Sequence, residues 1–341
     1  MTTPATDTEQ LPPARRTPLT DDYPTGPAVG EGIPAFTLPD QHGTPIDFAA
    51  ATAGQRAVVF FHRSAAWCPY CRTHLASFQR HLDAFEAAGI RVFAISNDSV
   101  EVLASFAEEN GITYSLLSDA GSAVIREFGI LNTLIAPDED KYGIAYPGVY
   151  VVGTDGLVEE KMFYREYAIR ESVGSLLHDI LGEDFSIDAN PRADAEGPGA
   201  RVSAALAEPR LTFMQRTPLY VRLDLDPGLH VYGEPVPNGY VATEVSVTAT
   251  GNPEGVRILD VESPPTKPFS VAGVSDEFHV FDGTVEFAVP IVNGNRDLEA
   301  LGLDVTVRFQ ACDEKQCFLP QTKQLHIDVP LGGLNRPKPK S

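Results

Sequence analysis

Ala57 to Phe61 is an unbroken apolar run, and after a short gap Leu75, Phe78, Leu82 and Phe85 recur at helical spacing until Gly89. A short fully apolar run reads as a buried strand, a three-and-four spacing as an amphipathic helix, and a glycine as its stop. The alternation repeats. Ile90 to Ser96 is β-branched and apolar, Val100 to Asn110 is helical before Gly111, Tyr114 to Leu117 is extended, and Ala120 to Phe128 is helical before Gly129. Val149 to Val152, a turn at Thr154-Asp155-Gly156 and Leu157 to Tyr164 form a hairpin, and Tyr167 to Leu181 is a closing helix before Gly182. Strands alternating with helices predict an α/β domain whose sheet has a parallel part covered on both faces.

Beyond residue 200 the period changes from helical to two. Leu219 to Leu225, Val241 to Thr250, Val256 to Val261, Thr284 to Val292, Asp304 to Gln310 and Lys323 to Val329 are short, alternating segments divided by Pro and Gly turns, the pattern of an all-β sandwich. The expected order is a disordered arm over 1–31, rich in proline, then an α/β domain over 32–183. A linker over 184–201, a sandwich over 202–331 and a loose basic tail over 332–341 follow.

Composition narrows the function. The chain has 341 residues, 43% of them hydrophobic, with 26 Lys plus Arg against 47 Asp plus Glu and a net charge of −21. Nucleic acid and anionic membranes are poor partners for such a surface. The longest apolar runs, Ala57 to Phe61 and Gly148 to Gly153, fall far short of the ~20 residues a membrane helix needs, so no membrane span is expected. Met1 to Gly32 lacks an apolar core of the kind a secretory signal carries, which makes a cytoplasmic location the expectation.

The four cysteines fall in two close pairs, Cys68 with Cys71 and Cys312 with Cys317. Trp67-Cys68-Pro69-Tyr70-Cys71 lies between a strand and a helix. There the Cys68 thiol meets unpaired N–H groups and the positive helix end, which favour thiolate, while Cys71 one turn on is placed to resolve a mixed disulfide. A zinc site would need a second C-x-x-C or a His pair, and the other cysteines have four residues between them, so no metal and no cofactor beyond redox-active disulfides is expected. Cys312 and Cys317, at the end of one strand and the start of the next, are close enough in sequence to bond across a turn.

Residues 32 to about 182 resemble the thioredoxin superfamily, in the AhpC/TSA peroxiredoxin-like branch shared with resident periplasmic reductases. The matching pieces are Phe36-Thr37-Leu38-Pro39-Asp40, Trp67 to Cys71, Ala94-Ile95-Ser96, Glu127-Phe128-Gly129-Ile130 and Tyr146-Pro147-Gly148-Val149-Tyr150. The resemblance implies a cis Pro147 beside the dithiol, with Tyr146 presenting its backbone to a substrate cysteine. Two departures stand out. Peroxiredoxins hold Thr three residues and Pro seven residues before the peroxidatic Cys, where counting from Cys68 gives Ala65 and Phe61; thioredoxins bury an acid where this chain has His62, whose imidazole is a candidate proton acceptor for Cys71. Trp67 is expected to pack beside the disulfide.

Residues from about 202 to 330 resemble the N-terminal immunoglobulin-like domain of the electron transporter DsbD. The match rests on Gly228 to Tyr232, Pro264-Pro265, Asp276-Glu277-Phe278 with Phe281-Asp282-Gly283, and Gln310-Ala311-Cys312 with Cys317, Pro320, Thr322 and Lys323. The resemblance implies that Phe278, on a cap loop, shields the disulfide and that Cys317 accepts a partner's attack. Together these readings predict a thiol–disulfide oxidoreductase whose two dithiols exchange with each other and with a disulfide client. The expected source of electrons is a cellular reductant such as thioredoxin or glutathione. The alternatives are a peroxide reductase with Cys68 peroxidatic, or a redox-sensing binding protein.

Overall fold

The computed structural model describes residues 11–182, 185–251, 253–270, 278–313 and 316–337, and the chain divides into two compact units, Met1–Val173 with Leu334–Ser341, and Gly174–Gly333. The first runs β1 (Thr37–Pro39), β2 (Pro45–Asp47), α1 (Phe48–Thr52), β3 (Ala57–Phe61), α2 (Pro69–Arg80), α3 (Leu82–Ala87), β4 (Arg91–Ser96), α4 (Val100–Asn110), β5 (Ser115–Ser118), α5 (Ala123–Glu127), β6 (Gly148–Val152), β7 (Val158–Phe163) and the two-residue β8 (Arg170–Glu171). Its sheet has the order β5-β4-β3-β6-β7, parallel from β5 to β3 and antiparallel from β3 to β7. This is the thioredoxin-like α/β fold that the alternating elements predict.

Period two along β3 sends Ala57, Val59 and Phe61 to a core with Phe36, Phe48, Phe93 and Phe128. Phe60 faces the other way and stacks on Phe78 of α2, ring centroids 4.1 Å apart, with Phe85 behind it. That stack fixes the helix carrying the cysteines against the strand preceding them. The single helix expected from Cys71 to Gly89 is broken at His81, whose N–H bonds back to the Ser77 and Phe78 carbonyls as α2 tightens and α3 begins.

The second unit opens with α6 (Val173–Leu181), eight of whose nine residues belong to it, and continues β9 (Arg192–Gly197), β10 (Ala200–Leu206), β11 (Leu211–Thr212), β12 (Gln215–Leu225), β13 (His230–Tyr232), β14 (Glu244–Thr250), β15 (Val256–Ile258), β16 (Lys267–Phe269), β17 (Phe278–Asp282), β18 (Thr284–Asn293), β19 (Gly302–Phe309), β20 (Ala311–Cys312), β21 (Gln321–Asp328) and β22 (Leu331–Gly332). One antiparallel sheet has the order β15-β18-β12-β10-β9; opposite it lie β14-β19-β21 and β16-β17-β13-β20. Inward residues of the two layers, Val221, Leu223, Phe287 and Val289 against Leu303, Val305, Val307 and Ile327, form one core. It is the expected immunoglobulin-like sandwich.

Three boundaries differ from the sequence expectation. Residues 192–197, read as linker, are β9, paired residue for residue with β10; the Gly197-Pro198-Gly199 cluster makes the hairpin turn between them rather than a tether. In the expected arm, residues 11–31 are seated on the first unit by hydrogen bonds to their carbonyls. In the expected loose tail, Asn335 bonds to Thr73 and Asn110 at 2.8 and 2.6 Å. Composition reports that such segments lack a core of their own, not that they lack a surface to lie on.

Candidate active site

Cys68 is the N-cap of α2 and Pro69 its first residue, where the missing N–H costs nothing and the fixed φ suits the helix. The loop from β3 to α2 is tied down from below. Asp98 accepts from Ser64 Oγ at 2.7 Å and Ala65 N at 2.6 Å, while Arg72 donates to Ala65 O at 2.7 Å and pairs with Glu109 at 2.9 Å. Both sulfurs are buried and unbonded, with Cys68 only 1% exposed. They stand 2.7 Å apart, and Cys71 N also donates to Cys68 Sγ at 3.4 Å.

Electrostatics sorts the pair. Burial opposes ionisation of Cys71, but its hydrogen bond with Cys68, the Arg170 guanidinium 3.2 Å away and Arg63 outweigh it and hold that thiol well below its ordinary value. The Arg63 backbone N–H adds a further donor at 3.4 Å. Burial, the hydrogen bond with Cys71 and the charge on Cys71 together push the Cys68 thiol well above its ordinary value. Ionisation of the pair is therefore favoured at Cys71. The sequence expectation favours thiolate at Cys68 from the helix end; Arg63 and Arg170 lower both thiols, while the hydrogen bond between the sulfurs raises Cys68 and lowers Cys71.

His62 is buried with both ring nitrogens unpartnered, and burial, the largest influence, lowers its pKa, so it stands as a neutral imidazole with accepting capacity. Trp67 is half-buried beneath Arg63, whose guanidinium lies 5.1 Å above its ring and 5.2 Å from that of Tyr167, with Tyr70 edge-on to Tyr167. Pro147 immediately precedes β6, whose Gly148 pairs with Phe61, placing it at the end of β3 where the active loop departs. Its peptide bond is not cis; among the described residues that conformation occurs at Glu234–Pro235. Ala145 pairs with Leu131 and Tyr146 N donates to Ile130 O at 2.8 Å, so the chain enters β6 already extended and the Tyr146 N–H is occupied.

In the sandwich, Cys312 and Cys317 are joined by a disulfide. Cys312 is buried on β20, whereas Cys317 is exposed beside the exposed side chains of Phe318 and Leu319. Phe278 is buried at the start of a strand, in a cluster with Tyr232, Val280 and Cys312; the Asp276-Glu277 portion of the expected cap loop lies outside the described residues. Tyr232 Oη lies 3.8 Å from Cys317 Sγ. Arg170 and Asp98 are the site residues that sequence reasoning passed over.

Comparison with known proteins agrees with both halves. Residues 29–161 match the AhpC/TSA family and residues 203–328 match the N-terminal domain of thiol:disulfide interchange protein DsbD. A putative peroxiredoxin of Mycobacterium tuberculosis is 35% identical over 133 residues, 38% of this chain and 80% of that protein. Peroxiredoxin Bcp of Escherichia coli is 31% identical over 135 residues, 38% of this chain and 82% of that protein. Among solved structures, peroxidoxin BcpB from M. tuberculosis covers 46% of this chain and 98% of its own, with 26% identity and a TM-score of 0.41.

Proposed function

We propose, since the chain belongs to the AhpC/TSA family through its first unit and carries a DsbD N-terminal domain in its second, that this thiol oxidoreductase exchanges electrons between its Cys68/Cys71 dithiol, its own Cys312–Cys317 disulfide and a disulfide client. The observation that carries the reading is the buried pair of sulfurs 2.7 Å apart with the charged Arg170 guanidinium 3.2 Å from Cys71 Sγ.

The chemistry follows from that charge. As a disulfide approaches, the Cys68 proton passes along the S–H···S contact to Cys71, and the Cys68 thiolate attacks one sulfur, forming a mixed disulfide and releasing the other as thiolate. Cys71, now protonated, gives its proton to the neutral His62 and attacks Cys68. The Cys68–Cys71 disulfide forms, the second client thiolate leaves, and two electrons have moved from the pair to the client. On the sandwich, the exposed Cys317 is the sulfur open to attack and the buried Cys312 the leaving thiolate. Tyr232 Oη is within reach of Cys317.

A second reading is supported by the position of the thiolate. Counted from Cys71 rather than Cys68, the place of the peroxiredoxin Thr is taken by Cys68 itself and that of the Pro by Ser64. Cys71 would then attack a peroxide, releasing hydroxide and leaving a sulfenic acid that Cys68 condenses to the disulfide with loss of water. Turnover with dithiothreitol separates the two. The exchange reading predicts rapid reduction of a peptide disulfide and hydrogen peroxide consumption at least about tenfold slower per active site; the inverse ratio would establish the peroxide reading instead.

A further inference from the structure

Residues 11–27 carry Pro12, Pro13, Pro18, Pro24 and Pro27, which restrict the backbone and lower the entropy lost when the segment is seated; Pro13–Arg15 forms a single 3-10 turn and the chain is extended at Arg16. Much of what holds it is main chain. Arg63 Nη2 donates to Ala14 O, Arg165 Nη1 to Leu19 O at 2.9 Å, Tyr150 Oη to Thr25 O at 2.6 Å and Lys161 Nζ to Pro27 O at 3.1 Å. Side-chain contacts pin it at a few points, chiefly Arg16 on Glu139 at 2.7 and 2.8 Å and the Tyr23 ring against Tyr146 at 5.1 Å. Gly26, at φ +68°, passes so close that a Cβ would collide with Tyr150 Oη and Phe128 O.

Donors aimed at backbone carbonyls recognise an extended peptide whatever its side chains are. The first donor in the row, Arg63, lies over Trp67, and its own N–H bonds Cys71 Sγ, so the carbonyl-binding strip begins at the dithiol. Building on the oxidoreductase reading, we infer that the strip from Arg63, Trp67 and Tyr167 to Arg165 is a docking groove for a cysteine-bearing polypeptide segment, and that residues 13–19, a 3-10 turn running into extended chain at Arg16, are its resident competitor. The client backbone takes the place of Ala14 O and Leu19 O, and its disulfide meets Cys68.

The test uses the full chain, a chain lacking residues 2–19 and an Arg16→Ala variant, with two probes: a fluorogenic peptide disulfide and hydroxyethyl disulfide, which is too small to span the strip. The expected result is a KM for the peptide disulfide about tenfold lower in the truncated chain and about threefold lower in Arg16→Ala. The rate with hydroxyethyl disulfide should change less than threefold. A synthetic cysteine-free peptide of residues 11–27 should inhibit the truncated chain competitively and bind it in a calorimeter. Unchanged KM in both variants, with no binding of the peptide, overturns the groove while leaving the oxidoreductase reading intact if hydroxyethyl disulfide is still reduced. Failure of every chain to reduce either disulfide counts against the oxidoreductase reading, and the calorimetric titration then still decides the groove. Should the truncated chain not fold, Arg16→Ala carries the KM comparison.

Discussion

Replacing Cys68 by Ser is expected to stop reduction of a peptide disulfide, lowering kcat/KM by at least about a thousandfold, the scale on which loss of a covalent nucleophile registers. Serine preserves the N-cap hydrogen bond to Cys71 N, so the helix start survives and the loss is chemical. The Cys71→Ser variant behaves differently: it still forms the first mixed disulfide and stalls there, giving a single turnover in place of a steady rate. If the two variants exchange these behaviours, with Cys68→Ser accumulating a sulfenic acid on Cys71 in hydrogen peroxide, the peroxide reading holds.

The second large effect is electrostatic. Arg170 is buried, lies 3.2 Å from Cys71 Sγ and is also tethered by its bonds to the Tyr167 and Ile169 carbonyls. Arg170→Met removes an opposite charge at contact distance, which should raise the pH at which the thiolate forms by about one to three pH units. Absorbance of thiolate in the ultraviolet against pH reads this directly. Stability follows with a definite sign. The folded pKa of Cys71 lies below its unfolded value, so between those two values the unfolded chain binds more protons and the reduced protein gains stability as pH rises. That gain is lost as pH falls through the folded value. Arg170→Met shortens the window, so the reduced variant should be weakened more at a pH above the folded value of Cys71 than at a pH below it, where both proteins carry a protonated pair. An unmoved titration curve would mean that Arg63 and the hydrogen bond from Cys68 suffice.

The fold was legible because both of its periods are written locally. The apolar run at Ala57–Phe61 and the three-and-four spacing of Leu75, Phe78, Leu82 and Phe85 need no distant information to become β3 and the helices behind it. The cysteines were legible for the same reason, each pair lying within six residues. The charge on the dithiol was not. It depends on Arg170, 99 positions beyond Cys71, brought back only when the sheet is complete. Residues 192–197 were misread because the alternating Ala193 and Ala195 are a faint apolar signal, yet two small side chains on the core suffice for an edge strand once β10 supplies its partner. The arm was misread because its ordering energy comes from donors on β6, β7 and the loops rather than from its own side chains.

Exchange between the two dithiols is the central claim, and the Cys71→Ser variant tests it most directly. With its resolving thiol removed, the Cys68 side of any mixed disulfide persists, and mass mapping after non-reducing proteolysis across a series of redox buffers identifies its partner. A peptide containing Cys68 linked to one containing Cys317 is the predicted product. A linkage to Cys312, or no linkage between the two halves in any buffer, would contradict the exchange.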